Sequence, residues 1–167
     1  MKNLINAFDQ LRAEGYFGDY AIGGGIATLF YTEPFATIDV DVFATIPIRG
    51  GLVDLSPIYA RLLELGFKSE GQYVLVGDQP VQVLVPPSDL EEEAVREAVW
   101  RDVEDVKVKV FRPEHLIAIY LRVGRAKDFS KIQALLEQAG IEQARLEAIL
   151  QRYNLQDQWN RYPKKSS

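Results

Sequence analysis

The sequence predicts an α+β fold: a mixed β-sheet core with flanking helices over residues 1–112, followed by a helical segment over 113–160. Three observations carry this. Apolar residues recur at helical spacing near both ends, short runs rich in β-branched residues alternate with turn signals in the middle, and everything after Pro113 has helical periodicity. With 167 residues, 47% of them hydrophobic and 26% charged, the chain can bury a single core and is neither disordered nor fibrous.

In order, Leu4, Ile5, Phe8 and Leu11 mark an amphipathic helix over residues 2–14, closed by Gly15. Tyr20–Ile22 is a short strand running into Gly23, Gly24 and Gly25, and Ile26–Tyr31 is a short helix stopped before Pro34. Thr37–Thr45 alternates and reads as a strand, Pro47–Gly51 as a loop, and Ile58–Leu65 as a helix closed by Gly66. Strands Tyr73–Val76 and Val81–Val85 form a hairpin through Gly77–Pro80. Ser88 with Glu91 predicts a capping box for a helix reaching Val99. Val99–Val103 and Val106–Val110 form a second hairpin, and three helices follow over residues 113–124, 128–140 and 141–153. Residues 161–167 read as a frayed tail holding Lys164 and Lys165.

Composition narrows the chemistry. There is no cysteine and one histidine, His115, so thiolate metal sites, cysteine nucleophiles and histidine-rich sites are excluded, leaving carboxylates, hydroxyls, Lys and Arg. The formal charge of -5 argues against a surface that grips nucleic acid as a whole, while permitting a local basic patch. No apolar run approaches the roughly 20 residues that cross a bilayer, and the first residues lack a cleavable leader pattern, so no membrane partner and a cytoplasmic location are expected.

The informative segment is Gly23-Gly24-Gly25 followed by Thr37-Ile38-Asp39-Val40-Asp41-Val42-Phe43. On a strand, residues i and i+2 share a face at about 6.5–7 Å. Asp39 and Asp41 are therefore expected on one face, with Ile38, Val40 and Val42 turned to the core. Two like charges on one face are unfavourable unless compensated, and a hard divalent cation such as Mg²⁺ or Mn²⁺ is the natural compensation. Taken alone, the acids fit a solvated strand face equally well, and the glycines fit a tight turn. Together they describe a phosphate cradle beside a metal site.

These residues resemble the nucleotidyltransferase superfamily, whose signature is a glycine pair at a helix start followed by an Asp-x-Asp strand. The stretch Tyr20–Phe43 looks like the minimal bacterial members related to the abortive-infection type IV toxins. Pro113–Ala118 and Gly124-Arg125-Ala126-Lys127-Asp128 are similar to the helix and Arg-x-Lys-Asp turn of that group. The resemblance implies that Asp39 and Asp41 hold Mg²⁺ and a nucleoside triphosphate. Gly23, Gly24 and Gly25 would contact phosphates, and Thr37, Gln82, Arg125 and Lys127 would complete nucleotide binding. It implies transfer of a nucleotidyl group to an acceptor that the sequence does not name (RNA, protein or small molecule), and a toxin–antitoxin setting. The chain departs from the pattern at Gln82, which stands where a third acid is expected, with Asp78 as a substitute. It departs also at Phe35 and Tyr120, which stand where basic residues are expected. Gln82 leaves a second reading open, a catalytically weak or inactive nucleotide-binding or protein-interaction module. A third is a plain α+β domain with solvated aspartates.

Other charged residues have simple readings. Asp128 could cap its helix, His115 is structural, and Lys107 and Lys109 line the solvated side of a hairpin. Glu91-Glu92-Glu93 is a solvated helix start favoured by the macrodipole.

Overall fold

The computed structural model describes residues 1–47 and 52–162. Fifteen elements follow one another along the described chain: α1 (Lys2–Ala13), β1 (Tyr20–Ile22), α2 (Gly24–Leu29), β2 (Val40–Ala44), α3 (Ser56–Glu64), β3 (Lys68–Glu70), β4 (Tyr73–Val76), β5 (Gln79–Leu84), α4 (Asp89–Arg96), β6 (Val99–Val103), β7 (Val106–Val110), α5 (Pro113–Val123), α6 (Ala126–Gln138), α7 (Gln143–Arg152) and α8 (Gln156–Arg161). The strands form one seven-stranded mixed sheet in the order β3-β4-β5-β2-β1-β7-β6. β2 lies at its centre, antiparallel to β1 and parallel to β5, while β1 runs parallel to β7. Val40, Val42 and Ala44 of β2 are buried on one face of the sheet. On the opposite face the Phe43 ring packs at a tilt against that of Phe111, their centres 4.9 Å apart, beside α4 and α5. The α+β expectation holds.

Several boundaries move for identifiable reasons. The strand expected over Thr37–Thr45 begins only at Val40, because Val40 is the first residue paired with β5, through Val81. Ile38, expected in the core, is instead 76% exposed. α2 starts two residues early and takes Gly24 and Gly25 into its first turn. The first hairpin turn is tighter than expected, because Val76 pairs with Gln79 and Gly77 supplies a left-handed residue with φ +64°. α4 ends at Arg96, which frees Val99 for β6. Two elements were not anticipated: β3, an edge strand exposed throughout, and α8, which buries none of its residues. Neither has an apolar face for periodicity to reveal. The C-terminal segment therefore holds four helices rather than three. Both the loop expected at Pro47–Gly51, from residue 48 on, and the tail from residue 163 lie outside the described residues.

Candidate active site

Strand register makes the site. Ile22 of β1 pairs with Val42, and the next residue, Gly23, donates its N–H to the Asp41 carbonyl at 2.9 Å. Antiparallel pairing thus lays the glycine turn directly along Asp41. Gly24 has φ +58°, and a Cβ there would sit 2.0 Å from Asp41 Oδ2. Neither the backbone conformation nor the space admits a side chain. At Gly25 a Cβ would meet Thr37 Oγ1 at 2.4 Å, and at Gly23 the rings of Phe43 and Phe111 at 2.6 and 2.9 Å. On its other side β2 pairs with β5 in the register Asp41↔Gln82, so Gln82 stands beside Asp41. Asp78 lies four residues up β5 in an exposed turn, about 13 Å away at strand rise, and does not join the site.

The electrostatics single out Asp41. Burial first and the neighbouring Asp39 second raise its pKa from 3.8 to about 6, and Lys131, Arg125 and Lys127 pull it back down. Among the described residues the Asp41 carboxylate has no hydrogen-bond or ion-pair partner. Asp39 precedes β2 rather than lying on it, yet is close enough to act on Asp41. Two carboxylates of this kind suit a hard divalent cation whose shell is completed by phosphate oxygens and water. Among the described residues no group of three or more His, Cys, Asp or Glu side chains is placed to hold a metal ion.

Three cations come from the start of α6. Arg125 is held by Asp128 through bonds of 2.7 and 3.1 Å, and this carboxylate draws the guanidinium pKa further upward. Asp128 is 0% exposed and sits in the first turn behind Arg125, which is the N-cap residue. It therefore positions Arg125 rather than capping the helix. Lys131, which sequence reasoning missed, lies 3.9 Å from Asp128, 5.0 Å from the centre of the Tyr120 ring and 6.0 Å from that of Phe35. Only 18% of its side chain is exposed, and burial pushes its pKa down. Phe35 and Tyr120, the two positions where basic residues were expected, thus flank one lysine from another helix. Nothing in the local pattern of α6 marks Lys131; only its spacing of four from Lys127 puts both on one helix face. Tyr120 bonds Thr28 Oγ1 at 2.8 Å, and Thr28 bonds the Gly24 carbonyl at 3.1 Å, tying α5 to the glycine turn.

Other expectations change. Glu91 and Glu93 are not a solvated helix start; they are 3% and 6% exposed, because α4 packs against α5. Glu91 pairs with Arg122 and Ser88, Ser88 Oγ being 2.6 Å away, and the Ser88 hydroxyl accepts from the Leu90 N–H rather than completing a reciprocal capping box. Glu93 accepts from Arg152 at 2.5 Å, Tyr153 at 2.7 Å and His115 at 3.1 Å. His115 is 1% exposed and meets Glu93 through Nε2, while its buried Nδ1 has no hydrogen-bond partner among the described residues. Lys107 is solvated, whereas Lys109 turns to Asp19 and the Trp100 ring.

A cavity of about 290 Å³ opens beside the site between β2, β5, α4 and α5. Asp41, Gly24 and Arg125 line it together with Phe43, Phe111 and Ile119.

No protein-family model matches this sequence, and no curated protein is significantly similar to it. Solved structures share its fold, two among them over nearly the whole of both chains. One is an antigenic nucleotidyltransferase-like protein from Paracoccidioides brasiliensis, with TM-score 0.54 and 19% identity over 99% of this chain and 94% of that one. The other is ANT(2")-Ia in complex with adenylyl-2"-tobramycin, with TM-score 0.52 and 17% identity over 94% of this chain and 97% of that one.

Proposed function

The chain has the nucleotidyltransferase fold, and we propose that it is a divalent-cation-dependent nucleotidyltransferase acting on a nucleoside triphosphate. One observation carries this reading: a half-buried Asp41 carboxylate without a side-chain partner, pressed against a glycine turn in which no side chain fits. Asp39 and Asp41 would hold Mg²⁺ or Mn²⁺ with phosphate oxygens, and the ion would neutralise charge at the α-phosphate. Gly23–Gly25 let the triphosphate approach the backbone, Thr37 and Gln82 offer neutral hydrogen bonds, and Arg125, Lys127 and Lys131 supply positive charge. In the reaction an acceptor oxygen bonds the α-phosphorus and the bond to the bridging oxygen breaks. Pyrophosphate leaves and the hydroxyl proton passes to solvent. Catalysis rests on positioning and electrostatics.

The candidate acceptors are RNA, protein and small molecules, and aminoglycosides belong in the trial because the ANT(2")-Ia structure holds an adenylylated one. A cytoplasmic location and a place beside the abortive-infection toxins rest on the sequence; among the described residues no helix is long and apolar enough to cross a membrane.

The test incubates the protein with Mg²⁺ or Mn²⁺ and each α-labelled triphosphate, offering total RNA, the protein itself and aminoglycosides. Transfer abolished by both Asp39→Asn and Asp41→Asn is the expected result, and transfer indifferent to both would sink the reading. Gln82 favours a second reading, a non-catalytic nucleotide-binding module, because an amide beside Asp41 cannot act as a base. Metal-dependent triphosphate binding without any transfer would select it.

A further inference from the structure

The cavity beside Asp41 has an unusual distribution of polarity. Its walls are Phe43, Leu84, Val85, Phe111, Leu116 and Ile119, with further apolar groups from α5. Among the described side chains reaching it, each hydrogen-bond acceptor is already engaged, with one exception, and the Arg125 guanidinium is anchored on one edge. Glu91 is bound by Arg122 and Ser88, the Tyr120 hydroxyl by Thr28, and Arg125 by Asp128. The exception is Asp41, which also lines the glycine turn. Among the described side chains, the space is therefore an apolar chamber with one unpaired carboxylate, placed at the proposed reacting centre.

Such a chamber discriminates by chemistry. A nucleobase brings several ring and exocyclic polar atoms, and most would be desolvated without partners. A polycationic sugar would meet the Arg125 guanidinium and one acid already neutralised by Arg122. A ligand with an apolar body and one hydroxyl leaves nothing unpaired. At interior packing density the chamber admits about ten to twelve non-hydrogen atoms.

We infer that this cavity is the acceptor subsite, and that the acceptor is a ring-sized apolar alcohol whose hydroxyl hydrogen-bonds to Asp41. The inference rests on the nucleotidyl-transfer reading for its chemistry, but not for its binding step. The hydroxyl oxygen bonds the α-phosphorus of the triphosphate, the bond from that phosphorus to the α,β-bridging oxygen breaks, pyrophosphate departs, the hydroxyl proton passes to solvent, and the product is a phosphodiester of the apolar alcohol.

The probe is 3-phenylpropan-1-ol, with ten non-hydrogen atoms, titrated by calorimetry into the full chain. Tobramycin and adenosine serve as competitors, and Mg²⁺ with α,β-methylene-ATP reports the triphosphate site separately. Ile119→Trp, which fills the chamber, is expected to weaken the probe at least tenfold while leaving triphosphate binding within twofold. Val123→Phe, at the exposed rim, should act in the same direction should the tryptophan variant fold poorly. Neither competitor should displace the probe, and label from an α-labelled triphosphate should appear on it. Failure of the probe to bind, binding unchanged in both variants, or displacement by adenosine or tobramycin would overturn the inference. Transfer to RNA or tobramycin that persists in Ile119→Trp overturns it while the transferase reading stands. Probe binding with no triphosphate binding refutes the reading and leaves only an apolar site.

Discussion

Two pairs of acids, each spaced i and i+2, have opposite fates. Glu91 and Glu93 on α4 are more deeply buried than the Asp39–Asp41 pair, yet both are fully served by their own chain: Arg122 and Ser88 for one, Arg152, Tyr153 and His115 for the other. Burial pushes the Glu93 carboxyl up, but the bonds from Tyr153, His115 and Arg152 outweigh it and hold the pKa below its ordinary value. Asp41 is less buried and has no such partners, so its pKa rises to about 6. Depth of burial does not separate structural acids from functional ones. On the proposed function, satisfaction does: a carboxylate left unpaired at the centre of a sheet is available to a charge the chain does not contain.

The comparison can be broken from either side. The largest effect is expected at Glu93. Glu93→Gln should destabilise by about 3–5 kcal/mol, the cost of breaking a buried charged network, with transfer per folded molecule unchanged. Thermal unfolding alongside the labelled-triphosphate assay reads both, and lost activity in a folded variant would place Glu93 in the site. Asp41→Asn should do the reverse. A carboxyl raised from 3.8 to about 6 carries roughly 3 kcal/mol of unfavourable ionisation at neutral pH, at about 1.36 kcal/mol per pKa unit. The variant should therefore melt higher at pH 7.5 without added metal, while losing transfer.

The same linkage has a definite sign. Because folding raises the Asp41 pKa, its contribution to stability is fully present below the unfolded value of 3.8 and is lost as pH rises through about 6. Wild-type stability should carry that loss between pH 4 and 6.5, and Asp41→Asn should remove it. Identical slopes in both proteins would show that Asp41 is satisfied after all. Metal and triphosphate binding should strengthen over the same pH interval, as the carboxylate ionises.

The smallest expected effect is at Gln82. Gln82→Asp adds a third charge in register with Asp41 and should lower stability without metal by about 1 kcal/mol, the order of a cross-strand like-charge contact. Mg²⁺ should restore it, giving a larger metal-induced rise in melting temperature than in the parent. An unchanged metal response would remove Gln82 from the site.

Much of this was legible in the chain. Asp-x-Asp and the glycine triplet were readable because both break local preference: aspartate is depleted in strands, and three glycines weaken either element they join. Gln82 was located correctly because β-branched alternation fixed its strand. The burial of Glu91 and Glu93 was not legible, since charge on a first helical turn looks the same whether its partners are water or arginines distant in sequence. Lys131 was hidden for a similar reason, being one lysine on an ordinary amphipathic helix.

The sequence by itself determined most of the elements (though not β3 or α8), the α+β order and the residue types available for chemistry, because period and turn propensity act over a few neighbours. Only the tertiary structure decided which of those residues meet. Pairing Ile22 with Val42 and Asp41 with Gln82 is a choice of register across the sheet, and a slip of one residue would send Asp41 to the opposite face. That register, fixed by burying Val40, Val42 and Ala44 together, puts the glycine turn, the unpaired carboxylate and the apolar chamber in one place.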